Sequence, residues 1–353
     1  MSTRPDHSTN HGSDTGSIGT TTVRDREENG ETWLEILTTF PIGHGSMLSL
    51  LDRTRCQLEG NPYLVPRMGP TTIARAFKNR RVGLHDLLYS PRASWRKHAA
   101  RLLDMIRRFD VQGLRQEKKI HDFDLLFCFS PHQIAYVDIE TTALRDAKVF
   151  MIGIGTIEDA TRTLTVTQLF ARSFAEEGAI VSQARAILGG KACLVSFNGK
   201  AFDIPILNDR HFYYASRPIV AKSVHHVDLM HDAPRFFQIK KRVGLKQLEE
   251  IVLDLHRVDD APSYLIPAIY TDLLLDGVPD GFGAAVESAI ASRSLDGVPE
   301  PLVPMLRVIK HNLLDVKSLH DIAMAMLLKI KAGGSTPSGA RRAPRLDDFV
   351  GEP

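Results

Sequence analysis

Apolar and polar positions along this chain follow two different periods, and the period changes near residue 133. Between residues 32 and 130, after a short extended stretch, the runs TTIARAFKNRRVGLHDLL and SWRKHAARLLDMIRRF space apolar residues three and four apart, which predicts amphipathic helices. Pro91 stands near the start of the second run and Ser94 offers an N-cap. From residue 133 the period shortens to two, and HQIAYVDIE, KVFMIGIGTI and TLTVTQLF predict strands. A helix follows in SFAEEGAIVSQARAILGG, closed by Gly189 and Gly190. CLVSFN and VHHVDLM predict short buried strands, separated by FDIPILNDRHF, which begins a helix or turn. GLKQLEEIVLDL and MLRVIKHNLLDVKSLHDIAMAMLLKI predict two more helices, and DGVPDGFGAAVESAIASRSLDGVPEP reads as an insertion before the last of them, able to alter substrate access. A meander followed by alternating strands and helices predicts an α/β fold, a mixed sheet flanked by helices.

Composition divides the chain further. Residues 1–31 are rich in Ser, Thr, Gly, Asp and Asn, and are expected to form a disordered tail. Residues 32–130 form a basic, mainly helical region, residues 131–331 the α/β domain, and residues 332–353 a flexible tail ending in a short apolar-acidic patch. Among the 353 residues no apolar run reaches the length of a membrane span, and the N-terminus lacks a signal pattern. Three cysteines without a CxxC pair argue against a disulfide framework and for a reducing, cytoplasmic setting. Residues 51–120 hold 16 Lys and Arg against 6 Asp and Glu, while residues 1–50 hold 3 against 7. A basic module beside an acidic region suits an enzyme that binds a polyanion, although a basic helical face can also be merely solvated.

Four carboxylates sit inside or beside strongly apolar segments: Asp138 and Glu140 in IAYVDIETT, Asp203 in SFNGKAFDIPIL, and Asp315 in KHNLLDVKSL. Burying such groups unpaired costs roughly several kcal/mol each, so folding tolerates them only with an offsetting charge. Two hard divalent cations, Mg²⁺ or Mn²⁺, would supply it, and the chemistry that needs them so held is phosphodiester cleavage. Asp138 and Glu140 are two apart on a strand and share a face, with Val137 and Ile139 on the other. The turn Asn198-Gly199-Lys200 precedes Asp203. Asn198 suits the turn, Phe202 packs beside the acid, and Lys200 fits either a phosphate contact or a plain surface position; all three are candidate substrate-binding residues. His311 and Asp315 share a helix face one turn apart, which puts an imidazole where it can orient or deprotonate a water. His225, His226, Asp228, His231 and Asp232 cluster in sequence, but strand alternation splits them and spoils a zinc site. Asp228 fits a role behind the site or as a capping acid. Lys240, Lys241, Arg242 and Lys246 flank a helix start that suits a phosphate or a solvated face. Tyr136, Phe150 and Phe197 read as core.

The order D-x-E, Asn then Phe-Asp, and His shortly before a final Asp resembles the DEDD exonucleases of the ribonuclease-H-like superfamily. Within it, DIETTAL, VFMIGIG, SFNGKAFDIPIL, HHVDLMHDAPRFF, VGLKQLEE and HNLLDVKSL look most like the YprB-like branch, over about residues 133–328. FPIGHG at 40–45 resembles the N-terminal region of such proteins. The interval from His311 to Asp315 is that of the tyrosine subgroup, whereas the residue is that of the histidine subgroup. The resemblance implies a 3′→5′ exonuclease on DNA or RNA. Two Mg²⁺ or Mn²⁺ would be held by Asp138, Glu140, Asp203 and Asp315, with unpaired ends as substrate and Asp228 near the site edge. Two alternatives remain open: a structure-selective endonuclease on the same fold, and a nucleic-acid-binding subunit without turnover.

Overall fold

The computed structural model describes residues 19–42, 47–78, 82–143, 147–158 and 162–331. Strands β1 (Thr21–Glu28), β2 (Glu31–Pro41), β3 (Ile134–Thr141), β4 (Val149–Glu158), β5 (Thr163–Phe170), β6 (Cys193–Ser196) and β7 (His225–Asp228) form one sheet in the order β1-β2-β5-β4-β3-β6-β7. The first five strands in that order pair antiparallel, and β6 and β7 continue parallel to β3. The mixed sheet expected from the sequence is therefore present, with the acid-bearing strand β3 where the two pairing modes meet.

Strand β1 was not expected, whereas β2 is the extended stretch expected at the start of residues 32–130. The tail assigned to residues 1–31 is ordered from Thr21 onward, and the boundary at 31/32 cuts through a hairpin. Asn29 and Gly30 have φ of 53° and 80°, so both central residues of this two-residue turn lie in the left-handed region. That is the backbone of the turn whose twist matches paired strands, and Asn-Gly adopts it at low cost. β1 reads as solvated because it is an edge strand with polar side chains. β2 is half-buried and alternates, with Leu34, Ile36, Thr38 and Phe40 inside. Residues 1–18, the tail 332–353 and positions 43–46, which include the end of FPIGHG, lie outside the described residues.

The N-terminal helices are α1 (Met47–Glu59), α2 (Pro70–Phe77), α3 (Leu84–Leu87), α4 (Ala93–Arg107) and α5 (Val111–Arg115). After the meander come α6 (Glu177–Leu188), α7 (Asp203–Ala215), α8 (Leu229–Phe237), α9 (Leu245–Leu253), α10 (Ile266–Asp276), α11 (Phe282–Ser292) and α12 (Val303–Lys331). Strand alternation builds a core on each face. Val137, Ile139, Ile152 and Ile154 pack with Ile180, Val181 and Ala184 of α6 and with Ile204 and Leu207 of α7. Tyr136, Met151 and Val166 pack with Ile309, Val316 and Leu319 of α12. A third core, with Trp95, Ala99, Leu102 and Ile106 of α4, belongs to the basic helical region.

That region is not set apart cleanly at 130/131. Met47, Leu50 and Leu51 of α1 belong to the core under α12, whereas Leu58 belongs to the helical core. The segment read as an insertion forms α11 over the β1 end of the sheet. There Gly283 lies close to Val23 and Leu34.

Candidate active site

The site forms where β3 and β6, parallel neighbours, both end. Asp138 and Glu140 are on the α12 face of β3, as alternation requires, with Val137 and Ile139 buried on the other face. The chain leaving β6 turns sharply at Asn198, whose φ is 62°. Gly199 follows, and a Cβ there would fall 2.3 Å from the Ser196 Oγ and 3.3 Å from an Asp203 oxygen. Asp228 holds this turn. Its Oδ1 accepts from the Asn198 N–H at 2.8 Å and the Met230 N–H at 3.1 Å, and its Oδ2 accepts from the Lys200 N–H at 3.2 Å. Asp203 then opens α7, and its Oδ1 accepts from the Ile139 N–H at 3.1 Å, tying the third acid to the strand of the first two.

α12 brings the fourth acid by lying close against the sheet. Gly153 of β4 is the partner of Asp138 across the ladder. A Cβ there would meet Asn312 Oδ1 at 2.5 Å and Val316 Cγ2 at 2.6 Å. In the space this leaves, Asn312 donates to Asp138 Oδ2 at 2.9 Å, while its own Oδ1 accepts from Gln168 Nε2 at 3.0 Å. Gln168 also donates to the Ile309 carbonyl at 2.8 Å. Asn312 and Gln168 are fully buried, so this chain of amides runs in one direction and fixes which way Asn312 points.

A cavity of about 520 Å³ is lined by Asp138, Glu140, Asp203, Asp315, His311, Asn198 and Phe202, all singled out from the sequence. Ile139, Phe197, Met230, Arg242, Val243, Gly244 and Ser263 complete it. Phe197, expected as core, is partly exposed in this wall. Lys200 is not at the cavity: its ammonium pairs with Asp122, a carboxylate from the N-terminal region that no sequence pattern links to this turn. Asp228 stays behind the cavity wall. His225 and His226 face different partners, the Asp122 carbonyl at 2.9 Å and the Ser196 hydroxyl at 2.7 Å.

Electrostatics mark the acids as under-neutralised. Burial, then Asp315, Asp203 and Glu140, raise the Asp138 carboxyl well above its ordinary range. Burial lifts Glu140 to about 8, against the pull of His311 and with the push of Asp315 and Asp203. Burial lifts Asp203 to about 7 despite its backbone hydrogen bonds. Asp315 has a cationic partner. The buried Arg257 guanidinium reaches its Oδ1 and grips Glu249 as well. His311 bridges the other side, with Nδ1 2.7 Å from Asp260 Oδ1 and Nε2 3.4 Å from Asp315 Oδ2. Burial lowers the basicity of this imidazole, but Asp315 and Asp260 outweigh it and the pKa is raised. Lys246 completes the network 2.6 Å from Asp260.

Arg257, Glu249, Asp260 and Gln168 left no signal in the sequence. Arg257 and Asp260 stand in a loop with no period, and nothing in the spacing links them to α12. As a donor set, four carboxylates converging on one cavity suit hard divalent cations. Among the described residues, no group of three or more His, Cys, Asp or Glu is arranged as a ready-made metal centre. Asp315 is turned toward Arg257 and Asp138 toward Asn312.

Comparison with known proteins agrees with this architecture. A family model for the RNase_H superfamily matches residues 135–327, and the chain belongs to that superfamily. The chain is also 32% identical over 145 residues to the uncharacterized protein YprB of Bacillus subtilis (strain 168), an alignment covering 41% of this chain. It spans only 30% of that relative's length. Membership in that superfamily accords with the mixed sheet and its flanking helices. Among the described residues, no helix is long and apolar enough to cross a membrane.

Proposed function

We propose that this chain is a divalent-metal-dependent nuclease that removes nucleotides from the 3′ ends of DNA or RNA, with single-stranded ends favoured. The observation that carries the reading is the convergence of Asp138, Glu140, Asp203 and Asp315, from β3, α7 and α12, on one cavity. Two Mg²⁺ or Mn²⁺ ions, held by those four carboxylates, would supply the positive charge that makes water nucleophilic and stabilises the departing 3′ oxygen. The rest falls to the chain's own residues. Asp260 accepts from Nδ1 of His311 and sets the ring's orientation, and Nε2 faces Asp315, where the ring would position the attacking water. Phe197, Phe202 and Met230 offer an apolar wall for the terminal base, and Arg242 stands at the cavity for a phosphate.

The test is digestion of 3′- and 5′-labelled DNA and RNA by wild type, Asp138→Asn and Asp315→Asn, with Mg²⁺, Mn²⁺ or a chelator. Both substitutions should abolish metal-dependent release of mononucleotides while the circular-dichroism spectrum stays unchanged. Near-normal turnover in both would defeat the assignment. A circular single strand should resist the enzyme, and its opening would establish internal cleavage instead.

A further inference from the structure

One strip of surface continues the cavity wall outward. α7 buries Asp203, Ile204, Leu207 and His211. On its other side, residues spaced three and four apart run from Phe202, which lines the cavity, through Ile206 and Asp209 to Tyr213, with Phe212 at the edge. At 1.5 Å per residue, the eleven steps from Phe202 to Tyr213 span about 16 Å. Phe212 and Tyr213 are 60% and 72% exposed, too much for a role in the core. The outer end is nonetheless rigid. Arg210 Nε donates to the buried Glu177 at 2.6 Å, and its guanidinium carbon lies 5.0 Å from the Tyr213 ring centre. The neighbouring Tyr214 hydroxyl donates to the same carboxylate at 2.8 Å. Tyr213 is thus braced by a cation–π contact and by the edge of Tyr214, with ring centres 4.9 Å apart.

We infer that this strip is a stacking track for the bases of the strand whose terminal nucleotide enters the cavity, an inference that rests on the function proposed above. Aromatic and aliphatic side chains accept any base face, and a pre-fixed ring loses little entropy on stacking. Asp209 in mid-strip repels phosphates, so the bases lie on the strip and the backbone lies beside it. The continuity with Phe202 selects the occupant, since a ligand leaving the cavity along this wall meets the strip next.

The test uses the full chain with Ca²⁺ replacing Mg²⁺ and fluorescence anisotropy of an eight-nucleotide single strand. A second oligonucleotide lacks the bases of its third to sixth residues from the 3′ end. The Phe212→Ala/Tyr213→Ala variant should bind the complete strand about tenfold more weakly than wild type, or about 1.4 kcal/mol. Removing the bases should weaken wild type by a similar factor and the variant hardly at all. Equal binding of the complete strand by both proteins, or equal losses in both on removing the bases, would overturn the track. Overturned in either way while wild type still digests DNA or RNA, the track alone falls. If wild type neither binds nor digests any strand, the proposed function falls with it.

Discussion

Gly153 has no side chain, and the amide contact to Asp138 depends on that. Its missing Cβ is what lets α12 approach β4 closely enough for Asn312 to reach Asp138. Gly153→Ala should force α12 outward, at a cost of about 1–3 kcal/mol for overpacking, and should also break the amide contact to the acid. Urea denaturation should show the lower midpoint, and turnover should fall more than stability alone explains. Wild-type turnover in a folded variant would mean that Asn312 does not matter to Asp138. The acids themselves were legible because strand period places Asp138 and Glu140 together, and because Asp203 and Asp315 stand in apolar settings that disfavour charge. Their neutralising partners were not. Arg257 meets Asp315 across 58 positions of sequence, and a long-range ion pair leaves no local period.

At the level of elements, the joint between β6 and α7 is built by an acid from a third place. Asp228 ends β7, caps α8 and takes two N–H groups of the turn that aims Asp203. Asp228→Ala would leave backbone donors of that turn without their partner, each costing about 1–3 kcal/mol where buried. Hydrolysis should drop sharply although residue 228 is not part of the cavity lining. Asp228→Asn, which keeps one acceptor oxygen, should fall between the two. Indistinguishable turnover in wild type and Asp228→Ala would show that the turn holds its shape unaided. Elements with a strong period were readable from sequence: β3, β4, β5, α6 and α12 form where their patterns indicate. The extended stretch read after residue 32 is β2, but its partner β1 was not readable, because polar composition hid an edge strand and only the Asn29–Gly30 dipeptide signals the hairpin.

For the molecule as a whole, the basic helical region shares α1 with the core under α12, so cutting it away would damage both. Exposed cations of α4 and its end, Lys97, Arg107 and Arg108, are a gentler probe. Replacing all three by Ala should weaken binding of single strands and flatten the salt dependence, by up to about 0.7 in the log–log slope for each phosphate no longer neutralised. An unchanged slope would show that the strand does not cross this face. The change of period near residue 133 announced two kinds of packing, yet it hid the edge strand β1 and the helix α1 that joins them. β3 itself links folding to chemistry. Asp138 and Glu140 serve the cavity, while Ala135, Val137 and Ile139, which alternate with them, serve the layer under α6 and α7. Sliding this strand one position against β4 would press Asp138 and Glu140 into hydrocarbon and lift Val137 and Ile139 out of it. A misaligned chain would thus forfeit its acids and its core in a single error, and the same pairing that stabilises the sheet proofreads the cavity.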